Sequence, residues 1–86
     1  MLTLVQAALA LKKEANGHFV ASRYRQALDL YIASVNRNPF DPIVWSNRAA
    51  VRLKLEEHGL AISDATRALE LDPKLVKVRS PPSPFT

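Results

Sequence analysis

Cysteine is absent from the 86 residues, glycine occurs twice and tryptophan once. Without cysteine the chain has no disulfide staple, no thiolate zinc ligand and no cysteine nucleophile. The low glycine content, with abundant Ala and Leu, favours helix over turn-rich architectures. No apolar run approaches the roughly 18–20 residues needed to span a bilayer, so no membrane partner is expected. The apolar stretch Met1–Leu11 has no basic segment before it, and Lys12-Lys13-Glu14 follows directly. It therefore reads as an amphipathic helix and not as a leader. With no cysteine and no export signal, the expected location is cytosolic or nuclear. A chain this short is one small domain at most, with a marginal core and little room for a closed active site.

Charge is also sparse where a nucleic-acid binder would need it. The formal net charge is +4. Residues 1–73 carry nine Lys/Arg and eight Asp/Glu, and Lys74, Lys77 and Arg79 supply the rest of the excess. There is no dense basic stripe with interleaved aromatics, so no nucleic-acid partner is expected.

What the chain does contain is an internal repeat. Shifted by 34 positions, Ala15 falls on Ala49, Ala27 on Ala61, Ser34 on Ala68, Pro39 on Pro73 and Leu11 on Trp45. Two units follow, about 8–41 and 42–75, each two helices and a turn. The first helix is expected from Thr3, a cap, to Ala21, with Leu4, Ala8, Leu11, Ala15 and Phe19 on its apolar stripe. The second spans Tyr24–Asn36, with Ala27, Leu28, Tyr31, Ile32 and Val35, and ends at Asn38-Pro39. Asp41-Pro42 opens the third, a capping Asp with Pro in the first turn. That helix carries Val44, Trp45, Ala49, Val51, Leu53 and Leu55 and is expected to end near His58-Gly59. The fourth runs from Leu60 to Leu71, and Asp72-Pro73 repeats the stop. Ala15 with Ala27, and Ala49 with Ala61, would let helix axes approach, with Leu11, Tyr31, Trp45 and Leu69 filling the grooves. Asp64 and Glu70 are expected to face solvent or to pair along the fourth helix. Residues 80–86 form a Pro-rich tail expected to be disordered, in which Ser80 and Ser83 each precede a proline.

These residues resemble the tetratricopeptide repeat: a 34-residue period, small residues at the eighth, twentieth and twenty-seventh positions, and Pro at the thirty-second. His18 and Arg52 depart from the family at positions where Tyr is common, and Ala65 where Phe is common. The resemblance covers about residues 8–75. It implies an all-α helix-turn-helix solenoid of two repeats plus the first turn of a third, within a helical domain over 1–79. Leu11-Lys12-Lys13-Glu14-Ala15-Asn16, Ser46-Asn47-Arg48-Ala49-Ala50 and Ala61 through Pro73 are similar to chaperone-binding repeat domains of the carboxylate-clamp type, including one at the amino terminus of a protein phosphatase.

In that family an acidic peptide ending in Glu-Glu-Val-Asp, from 70- or 90-kDa heat-shock chaperones, is held by five side chains. The resemblance assigns four of those positions here: Lys12, Asn16, Asn47 and Lys77. The fifth is an Arg one turn after the Lys, and here that position is Pro81. Arg79 is close by but would point elsewhere on a helix. Loss of a charged bidentate contact costs on the order of 2–3 kcal/mol. Two functions are therefore expected in competition. One is a peptide-docking module with a partial clamp. The other is a truncated fragment or short isoform of a repeat phosphatase or co-chaperone, without binding of its own.

No catalytic constellation is legible. His18 and His58 lie in different units with no metal-like spacing, so neither an enzyme nor a cofactor is expected. Repeat arrays gain stability from neighbouring units and need about three of them or a cap. The outward side of the fourth helix, Ile62, Ala65 and Leu69, has no obvious cover in a two-unit chain. That end is expected to self-associate or to leave the fold partly molten.

Overall fold

The computed structural model describes residues 3–75. They form four helices: α1 (Leu4–Val20), α2 (Tyr24–Arg37), α3 (Pro42–Lys54) and α4 (His58–Leu71). Each start has a local cause. Thr3 closes a capping box with Gln6: the Thr3 hydroxyl accepts from the Gln6 N–H at 3.1 Å, and Gln6 Oε1 accepts from the Thr3 N–H at 2.9 Å. Asp41 caps α3 by accepting the Ile43 N–H at 3.0 Å, and Pro42 follows in the first turn.

The two hairpin turns are copies of one another. Ser22 (φ 62°) and Glu56 (φ 63°), 34 residues apart, both take the left-handed conformation. After α1, Ser22 N–H donates to Phe19 C=O and Arg23 N–H to His18 C=O. After α3, Glu56 N–H donates to Leu53 C=O and Glu57 N–H to Arg52 C=O. This is the Schellman arrangement, which satisfies the last carbonyls of each helix. The stops repeat as well: Asn38 (φ −144°, ψ 95°) and Asp72 (φ −145°, ψ 92°) both leave the helix just before a proline.

The turn after α3 corrects one expectation. α3 ends at Lys54, and α4 begins at His58 with Gly59 inside its first turn. The reversal is made at Glu56, not at a glycine. Neither glycine has a positive φ.

Helix α1 packs on α2, α3 on α4, and α2 on α3, so the two hairpins stack side by side. Ala15, Ala27, Leu28, Tyr31, Val35, Val44 and Val51 form the core, with Phe19, Leu30, Ile32, Trp45 and Leu55 packed around it. Ala15 and Ala27 are fully buried, as expected of residues that let two helices close on each other. The Ser34 hydroxyl, also buried, donates to Ala8 C=O at 2.8 Å and ties α2 to α1. Leu4 and Leu53, expected on apolar stripes, are instead exposed, and Leu69 takes the uncovered outward position expected of it and not that of a groove filler. Leu4 lies in the first turn of α1, opposite the end of α2 at Arg37. Leu53 is exposed although Val51 and Leu55, on either side of it in sequence, are buried or packed on the core, so it lies on the outer face of α3. Leu69 lies on the α4 face turned away from α3. Among the described residues no helix is long and apolar enough to cross a membrane.

The expected turn of a third unit, Lys77, Arg79, Pro81 and the Pro-rich segment with Ser80 and Ser83 lie outside the described residues.

Candidate functional site

Lys12 and Asn16 sit one turn apart on α1, which places them on one face. Asn47 lies on α3, in the other repeat. The stacking of hairpins brings α1 and α3 side chains together at this point. Asn47 Nδ2 donates to Asn16 Oδ1 at 3.3 Å. The Tyr31 hydroxyl, from α2, donates to the same oxygen. Both lone pairs of Asn16 Oδ1 are thereby used by protein donors. The Asn16 NH2 is then the end of that side chain that an incoming acceptor can use. Asn16 and Asn47 are half-buried, so each costs less to desolvate further than an exposed amide.

Tyr31 is fully buried. Burial pushes its phenol pKa above the ordinary 10.0, with the Asn47 amide pulling partly the other way. It is therefore a neutral donor at physiological pH and holds Asn16 in one orientation.

Lys12 is not free. Its Nζ lies 3.1 Å from Asp41 Oδ2. The same carboxylate caps α3 through its other oxygen. Three of the four sequence-assigned positions therefore converge, and Lys77 lies outside the described residues. In the sequence Tyr31 reads as a groove filler and Asp41 as a helix cap. Their partners are 15 and 29 residues away, so only the stacking of helices could reveal the second role of each.

A second polar cluster borders the site on α3. Arg48, next to Asn47, donates from Nε and Nη2 to both oxygens of Asp64 on α4, at 2.9 and 2.8 Å. Arg52 Nε sits 3.3 Å from Asp64 Oδ2 but is buried without a hydrogen bond. The Arg48 guanidinium also lies over the Trp45 ring, 4.5 Å from its centroid, and Trp45 Nε1 donates to Pro39 C=O at 2.7 Å. Asp64 is thus a buried anion joining two helices, not the solvent-facing residue its position in the sequence suggested. Among the described residues no three His, Cys, Asp or Glu side chains gather as metal ligands.

No family model matches the chain. Solved structures provide a match that decides the fold. The first tetratricopeptide repeat domain of Spaghetti (RPAP3), bound to the HSP90 peptide SRMEEVD, superposes with a TM-score of 0.81. It is 32% identical, over 85% of this chain and 58% of that one. The chain is a tetratricopeptide repeat domain. This repeat domain is near in sequence to repeat-bearing phosphatases. It is 42% identical over 73 residues to serine/threonine-protein phosphatase T of Aspergillus oryzae and 42% over 67 residues to serine/threonine-protein phosphatase 5 of Homo sapiens. Those matches cover 85% and 78% of this chain but only 15% and 13% of the phosphatases. The repeat domain therefore spans a small part of the relatives it matches.

Proposed function

We propose that this repeat domain docks acidic C-terminal peptides of heat-shock chaperones through a partial carboxylate clamp of Lys12, Asn16, Asn47 and Lys77. The observation that carries the reading is the hydrogen bond between Asn16 and Asn47. It joins donors from two repeats beside a lysine. That arrangement suits a peptide terminus, since Lys supplies charge and Asn supplies oriented amide donors without the desolvation cost of a second cation. The HSP90 peptide on the RPAP3 repeat domain supports a tail of the 90-kDa chaperone as the first ligand to test. A 70-kDa chaperone tail is the other partner proposed. The role is interaction, with no catalytic activity or cofactor of its own.

The test is a titration of a labelled peptide ending in Glu-Glu-Val-Asp, with its C-terminally amidated form as control. The free acid is expected to bind with Kd on the order of micromolar, the amide much more weakly, and Lys12→Ala or Asn47→Ala to abolish the difference. Binding of neither form by a chain with an intact helical spectrum would overturn the proposal. A second reading rests on Pro81 standing where the resembling family carries Arg. In it the chain is a fragment of a larger repeat phosphatase or co-chaperone that does not bind alone.

Two finer proposals complete this reading. The exposed α4 side chains Ile62, Ala65 and Leu69 favour self-association, which sedimentation over a concentration series would reveal as rising mass. A cytosolic or nuclear location, where chaperone tails are accessible, is tested by imaging the tagged chain.

A further inference from the structure

We infer that Asp41 is a built-in competitor for the ligand at Lys12 and sets the affinity and salt response of the site. The inference rests on the docking proposal above. Asp41 stands at the start of α3, and its two oxygens do different work. Oδ1 accepts the Ile43 N–H at 3.0 Å and caps the helix. Oδ2 lies 3.1 Å from Lys12 Nζ. The two side chains are 22% and 19% exposed, so the pair is within reach of a ligand yet partly shielded from salt.

Two consequences follow for an anionic ligand. Among the described residues joined at the site, Lys12 is the cation and Asp41 its anion, and Asn16, Asn47 and Tyr31 are neutral. Their formal charges cancel, so these residues give an approaching carboxylate little net attraction. On arrival, a carboxylate at Lys12 exchanges one ion pair for another, and Asp41, held in place by its capping bond, stays close enough to repel it. The device selects for termini that bring more than one carboxylate, because a single one gains little by the exchange.

Asp41→Asn separates the two roles. Asn caps helices as well as Asp does but carries no charge. Asp41→Ser is a second uncharged cap should the first variant fold poorly. Asp29, exposed on α2, provides a control: Asp29→Asn makes the same change in net charge away from Lys12. The free-acid peptide ending in Glu-Glu-Val-Asp is titrated against each chain at several salt concentrations. Asp41→Asn is expected to bind about three- to tenfold more tightly than the parent chain, with an affinity that falls more steeply as salt is added. Asp29→Asn is expected to bind like the parent, and Lys12→Ala to remove the gain from Asp41→Asn. Equal binding by the parent and Asp41→Asn, or an equal gain in Asp29→Asn, overturns it while the docking proposal stands. Absence of binding in every folded variant overturns both.

Discussion

Asp64 on α4 takes two hydrogen bonds from the Arg48 guanidinium on α3, at 2.9 and 2.8 Å, while only 3% exposed. Arg52 crowds the same carboxylate, so one buried anion serves two cations between the helices of the second hairpin. Removing the anion leaves both cations without their partner in a place that water reaches poorly. Asp64→Ala should therefore cost about 3–5 kcal/mol, close to the whole stability of a domain this size. Urea unfolding followed by circular dichroism checks this. The variant should be largely unfolded at room temperature, and a midpoint near that of the parent chain would contradict the assignment. Replacing the pair together, Arg48→Met with Asp64→Leu, should recover part of the loss.

The repeat allows one substitution to be read twice. Leu28 and Ile62 are 34 positions apart, yet Leu28 is 3% exposed beneath α3 and Ile62 is 66% exposed. Leu28→Ala should cost about 2–5 kcal/mol, and Ile62→Ala no more than about 0.5 kcal/mol. Comparing their denaturation midpoints measures what coverage by a following helix is worth.

Tyr31 links stability to alkaline pH. Its phenol pKa is raised by burial above 10.0, so the folded chain holds the proton more tightly than the unfolded chain. The resulting stability is present below about pH 10 and is lost as pH rises through the folded value. Tyr31→Phe should lose about 0.5–1.5 kcal/mol at neutral pH, because Asn16 loses a donor. It should also flatten the decline in stability as pH rises above about 10. Urea melts of the two chains across that range give both results.

Glu56 holds a left-handed conformation, φ 63°, that costs a residue with a Cβ about 1 kcal/mol. Glu56→Gly should stabilise by roughly 0.5–1 kcal/mol and raise Tm by several degrees. Differential scanning calorimetry checks it, and a lower Tm would show that Glu56 makes a compensating interaction.

The helices were legible because their causes are local. Thr3, Asp41-Pro42, Asn38-Pro39 and Asp72-Pro73 act on backbone within four residues of themselves, and the 34-residue spacing of alanines marks where helices close on one another. The exit from α3 is not legible in the sequence because the usual sign is a glycine, and here the chain makes the left-handed turn at Glu56. The copy of that turn at Ser22 shows that the repeat's geometry, not the residue type, demands it.

By itself, the amino-acid sequence determined the all-α class, the two helical hairpins, and the placement of Lys12 and Asn16 on one face of one helix. Period and capping are short-range properties, and a chain with only two glycines and well-placed prolines leaves them few alternatives. Tertiary structure alone decided the pairings: Asn16 with Asn47 and Tyr31, Lys12 with Asp41, and Asp64 with Arg48. These groups lie 15 to 31 residues apart. Charge and hydrogen-bonding capacity can be read along a chain, but which donor meets which acceptor depends on how two hairpins stack. That angle and register follow from the side-chain volumes of the whole core.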